Sequence, residues 1–239
     1  MLNAKALRTR SRLLAAARTV FERDGFLAAR VVDIATEAGV AHGSFYTYFD
    51  SKQRIFRAVV ADFTKLYVND LGANAPEMTA IQQIERGNRK FYETYLANLR
   101  MFELYEEAAS YDDEVREHRI AGRKNAENQV RKSIERFQTL GLSPAHINSE
   151  IAASCLAAMA TQSFYSWHIR EDRGYDNDLA VRTLSYLWAS ALGIRAEPDD
   201  DEFYQPLNEQ NSTKTSRTAR KRPARKAAPE RAARGRPDR

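Results

Sequence analysis

The stretch Ala38–Lys52, AGVAHGSFYTYFDSK, sets four aromatic rings and a histidine within eight positions, with glycine, serine and threonine between them. The mixture is poor material for a buried helix, yet a helical wheel sorts it. Phe45 and Phe49 stand one turn apart on one face, while Gly43, Tyr46 and Thr47 fall opposite, with Ser44 at the margin. That second face offers hydroxyls and small groups, and His42 at its N-terminus adds an imidazole. A helix of this make fits the major groove of DNA, where its first residues reach base edges. Tyr48 and Lys52 flank it. A phenol hydroxyl, an ammonium and the N–H groups opening the next helix suit phosphate oxygens, which fix register without reading sequence.

Positioning such a face needs a tight turn before it. Residues 31–49, VVDIATEAGVAHGSFYTYF, read as two helices joined by one. Ala35 is small enough for a close helix crossing, Gly39 supplies the positive φ of a sharp turn, and Ile34, Ala38 and Val40 face inward. This is helix-turn-helix spacing. Ahead of it, Leu13, Ala17, Val20 and Phe21 form the stripe of a helix over about 5–24 that Gly25 ends. Behind it, Asp50 or Ser51 caps a fourth helix reaching about 72.

The pattern IATEAGVAHGSFYTYFDSK, Ile34 to Lys52, resembles the DNA-binding domain of the tetracycline-repressor (TetR) family, through Gly39, Val40, Gly43, Tyr46, Phe49 and Lys52 together. The likeness covers roughly the first 60 residues. It implies that His42, Gly43, Ser44, Tyr46 and Thr47 lie in the major groove and that Tyr48 and Lys52 meet the DNA backbone. One departure stands out: members often carry threonine and a polar residue where this chain has Val31 and Val32, so Arg30 becomes the expected substitute for that phosphate contact. The recognition helix also has no Arg or Lys to read guanine. Specificity is therefore expected from His42, Ser44, methyl contacts and DNA shape.

Charge is segregated along the 239 residues. Residues 1–58 sum to +5, residues 59–204 to −8 and residues 205–239 to +8. Basic ends around an acidic middle point to a polyanion touched by the ends. The reading is all-α: a helix-turn-helix DNA-binding domain over 1–58, a helical effector-binding and dimerisation domain over 59–204, and a disordered basic tail over 205–239. The tail's Lys, Arg, Ala and Pro cannot bury enough apolar surface to order it, and its charge would steepen the salt dependence of DNA binding. A linker is expected at 72–76 and helices at about 78–97, 99–110 and 113–140. Ser143 and Pro144 are expected to open the next helix, which runs to about Asp172, and a last one spans about 177–194.

Cys155, the one cysteine, sits in the alanine-rich run EIAASCLAAMA and reads as a small buried hydrophobe. The acidic cluster around Asp112, Asp113, Glu114, Glu117 and His118 reads as a helix start and not as a metal site. No phosphate loop, nucleophile elbow or zinc-binding HExxH motif is present, so neither an enzyme nor a cofactor is expected. No apolar run spans a membrane and no secretory signal opens the chain, which places it in the cytoplasm.

One short reading helix buries little surface, so such modules pair across a two-fold axis on a palindromic site. The apolar helices at about 144–172 and 177–194 are the expected seam; the TetR resemblance implies a four-helix homodimer interface there. It also implies an enclosed small-molecule effector, for which Phe91, Tyr95, Phe102, Glu106, Met159, Gln162, Ser163 and Trp167 are the expected lining. The function expected is a ligand-responsive transcriptional repressor. A DNA-organising protein that coats DNA through its basic tail is the alternative.

Overall fold

The structure, a computed structural model, describes residues 4–68, 75–171 and 173–200. The tail and most of the expected 72–76 linker lie outside them. The described residues are helical with no strand, and all fall in one compact unit.

Four helices build the first layer: α1 (Ala4–Ala28), α2 (Val31–Glu37), α3 (His42–Phe45) and α4 (Lys52–Val68). Gly25 breaks α1 with φ 78° and ψ 164°, and a last helical turn follows it. The break aims Phe26 into a ring cluster with Phe21 and Phe56, at 5.9 and 4.8 Å between centroids. Leu13, Ala17, Val20 and Phe21 are fully buried, the expected stripe. Ser51 caps α4, its hydroxyl accepting from the Arg54 N–H at 3.2 Å.

The second layer comprises α5 (Ala80–Ala97), α6 (Leu99–Ala108), α7 (Asp113–Thr139), α8 (Ser149–Tyr165) with a π-helical turn over Ser166–Arg170, and α9 (Asn177–Ala191). Helix α5 packs on α9, and α7 on α8. Thr79 opens α5 with a reciprocal capping box to Gln82, and its hydroxyl donates to buried Asp200 at 2.5 Å, tying the 3-10 turn over Pro198–Asp200 to this helix.

Two expectations are corrected. Ser143 and Pro144 do not open α8; Asn148 does, its side chain accepting from the Ile151 N–H at 2.9 Å. Ser143 is instead buried and donates to the Leu192 carbonyl at 2.8 Å, so the segment from Gly141 to Asn148 is a turn clamped onto the end of α9. Cys155, expected to be buried, is exposed on α8. Within the expected seam, Val181, Leu184, Trp188 and Leu192 are buried inside the molecule. The outward apolar residues are Ile151 on α8 and Leu179, Tyr186 and Leu187 on α9.

Candidate nucleic-acid interface and effector cavity

The turn between α2 and α3 closes by two backbone bonds, from the Val40 N–H to the Ala35 carbonyl and from the Gly39 N–H to the Thr36 carbonyl, both 3.0 Å. This is a Schellman stop, and Gly39 takes its left-handed position at φ 63°. The guanidinium of Arg12 covers the same stop, donating to the Ala38 carbonyl at 2.5 Å. A Cβ at Gly39 would lie 2.9 Å from that guanidinium, a second reason for glycine.

Past the turn, Phe45 and Phe49 are buried and carry α3 and the turn that follows it on the core. His42, Gly43, Tyr46 and Thr47 are exposed, and Ser44 and Tyr48 are partly covered. The sequence-expected groove residues therefore share one outward surface. His42 and Tyr46 stand edge to face at 5.5 Å between centroids, stiffening it.

The two basic residues expected on phosphate are otherwise engaged. Arg30 precedes α2 and lays its fork on Asp33, at 2.9 and 3.1 Å, while remaining largely in solvent. Lys52 directs its ammonium at three carbonyls, Phe26 at 2.7 Å, Ala29 at 2.8 Å and Leu27 at 3.2 Å, above the Phe26 ring. Three donors meet three acceptors, so in this geometry Lys52 caps the end of α1.

Behind this surface, α4 is strapped to the second layer. Arg57 donates from Nε to Asp112 at 3.0 Å and from Nη1 to Glu114 at 2.6 Å. Asp112 also caps α7, its other oxygen accepting from the Glu114 and Val115 N–H groups. Burial pushes the Asp112 carboxyl up, but the Arg57 hydrogen bond and the α7 N–H groups outweigh it and hold its pKa below the usual value. The acidic cluster thus includes the helix start that was expected. Among the described residues, no group of three or more His, Cys, Asp and Glu is placed to hold a metal ion.

A cavity of about 390 Å³ opens among α5 to α9. Five of the expected residues line it: Phe91, Tyr95, Phe102, Glu106 and Gln162. Met159, Ser163 and Trp167 do not. Ala157 and Thr161 line the cavity from α8, and Met159 and Ser163 follow each by two residues, which carries them around the helix to its far side. Trp167 sits on the π-helical turn and packs against Phe164 and Tyr175 instead. Burial first, and then the charge of Glu106, raise the Tyr95 hydroxyl far above its ordinary pKa, so it stays protonated.

The sequence reading missed the wall that α7 provides. Arg119, Arg123, Ala126, Val130, Ser133 and Phe137 line the cavity at spacings of three and four. That period was visible, but in a helix so rich in charge it reads as a solvated face.

A model of the bacterial regulatory proteins of the tetR family matches residues 13–59, the helices just described. Over that segment the chain is similar to the tetR family. Over more of its length, the chain is similar to the uncharacterized HTH-type transcriptional regulator YdgC of Bacillus subtilis, with 27% identity over 183 residues covering 71% of this chain and 88% of that protein. Among solved structures it shares its fold with FadR of Bacillus subtilis, solved with stearoyl-CoA, at 19% identity and TM-score 0.63 over 77% of this chain and 99% of that one. It also shares it with SmeT, repressor of a Stenotrophomonas maltophilia multidrug efflux pump, at 17% identity and TM-score 0.59 over 83% and 94%. These relatives are transcriptional regulators, and no described helix of this chain is long and apolar enough to cross a membrane.

Proposed function

We propose that this chain is a homodimeric repressor of the tetR family that leaves a palindromic operator when a small molecule with a mainly apolar body occupies the α5–α9 cavity. Residues 1–58 read DNA and 59–204 sense and dimerise. The observation that carries this reading is the Arg57 strap: the helix that walls the cavity, α7, begins at the residue that holds α4, and α4 packs on α1 behind the reading surface.

His42, Ser44, Tyr46 and Thr47 reach base edges from the exposed face of α3. The second copy docks on the outward apolar residues Ile151, Leu179 and Leu187, which are exposed on α8 and α9. Two reading helices then meet successive major grooves about 34–36 Å apart, or a multiple of that. A ligand that binds better to a conformer with another spacing shifts the population toward it, and DNA affinity falls. FadR of Bacillus subtilis was solved with stearoyl-CoA, which supports an acyl-sized occupant for this fold.

Selecting bound fragments from the source genome and footprinting them tests the reading. One short palindrome protected by a dimer, and released by a cavity ligand, is expected. Continuous coverage, or operator affinity unchanged at saturating ligand, overturns it.

A further inference from the structure

The charge in the cavity wall says more about the ligand. Among the described residues, three arginines line it, Arg119, Arg123 and Arg136, against one carboxylate, Glu106. Arg136 donates to the neutral amide of Gln83 at 2.7 Å, at the other end of α7. Arg123 stands one turn from Arg119 and gives its Nε–H to Glu127 at 2.9 Å.

Arg119 is the unusual one. Its Nη1 donates to Glu106 at 3.1 Å, but its Nε–H is buried with no acceptor among the described residues. The Trp188 indole, on another wall and more than nine-tenths buried, likewise has no acceptor for its N–H among the described residues. Both groups can only donate, so whatever completes this wall must bring oxygen acceptors. Glu106 takes one corner of the guanidinium, whereas a carboxylate or phosphate binds best across two parallel N–H bonds, such as the Nε–Nη2 edge provides.

Resting on the reading that the cavity holds an effector, we infer that the effector is an amphipathic organic acid. Its acid group takes Arg119 from Glu106, with Arg123 one turn away, and its apolar body lies along Phe91, Phe102 and Phe137. The buried Nε–H means that the guanidinium must swing away from Glu106 to receive the acid. That exchange releases the contact between α6 and α7 about seven residues, roughly 10 Å, from the Asp112 cap that holds α4.

Calorimetric titration of the full chain with monomeric decanoate, decyl phosphate, 1-decanol and decylamine tests the assignment, with operator release followed separately. Both acids are expected to bind at least tenfold more tightly than the alcohol, and the amine most weakly; the tighter acid tells carboxylate from phosphate. Glu106→Gln is expected to tighten acid binding several-fold and leave the alcohol unchanged. Arg119→Gln is expected to erase the preference for acid over alcohol, and Arg119→Lys to keep part of it, which covers the case in which the glutamine variant does not fold. Equal affinity for acid and alcohol, or a preference that survives Arg119→Gln, overturns the inference. An alcohol that binds as well as the acids and releases DNA leaves the repressor reading standing without it, whereas acids that bind through Arg119 without releasing DNA sink the repressor reading alone.

Discussion

In the first layer the cations around the turn have their acceptors within the fold: Arg12 covers the end of α2 and Lys52 the end of α1, each on main-chain carbonyls. In the second layer the cavity keeps donors, on Arg119 and Trp188, that nothing among the described residues meets. On the proposed function, the difference follows from what each region would have to do. A surface that reads a groove must hold one shape before DNA arrives, so its supports are closed and only the outward groups are left to solvent. A cavity that switches needs an incomplete state for a ligand to complete, since a ligand moves an equilibrium only by what it adds to one side of it.

The largest effect should come from the rigid side. Phe45→Ala removes a fully buried ring and should cost about 3–5 kcal/mol, enough to melt the helix-turn-helix and abolish DNA binding. A thermal melt followed by circular dichroism checks it, and a loss well under 1 kcal/mol would mean that the reading helix is not braced as described. Next, Lys52→Met keeps the stem over Phe26 but strips three carbonyls of their donor, for an expected loss of about 1–3 kcal/mol. The salt slope of DNA binding should stay the same; a slope shallower by about one would assign the ammonium to a phosphate instead.

Tyr46→Ala with Thr47→Ala should do the reverse, leaving the melting temperature in place while lowering operator affinity about tenfold to a hundredfold, as read by fluorescence anisotropy. The smallest effect belongs to the strap. Asp112→Asn weakens a helix cap and an ion pair, at about 1 kcal/mol. Because the folded pKa of Asp112 is depressed, its contribution is whole above the unfolded carboxylate value near 4 and disappears as pH falls through the lower folded value. Melts from pH 7 down to 3 should therefore show the wild type losing its advantage over the variant only below about pH 4.

The same contrast explains how much the residues themselves disclosed. The reading helix was legible because a single period sorts it: two buried rings on one face and small polar groups on the other, next to a glycine whose φ the turn demands. The cavity was legible chiefly through its aromatic residues, with Glu106 and Gln162 beside them. Phe91, Tyr95 and Phe102 announce themselves at helical spacing, but Met159 and Ser163 share that spacing and point elsewhere, because the direction of a face depends on which neighbours cover it. The α7 arginines were hidden for the opposite reason, since a cation on a polar helix looks solvated until a wall closes over it. Ser143 misled similarly: a serine before a proline has the chemistry of a helix start, and only the end of α9 draws its hydroxyl away.

Both tryptophans, Trp167 and Trp188, belong to the second layer, and helices α1–α4 have none. Under excitation selective for tryptophan, the molecule therefore emits from the second layer alone. Trp188 borders the cavity, so its spectrum should change as that space fills and stay quiet while α3 settles on a duplex. Two events that a gel would merge into one band can then be timed apart by colour, without attaching any dye.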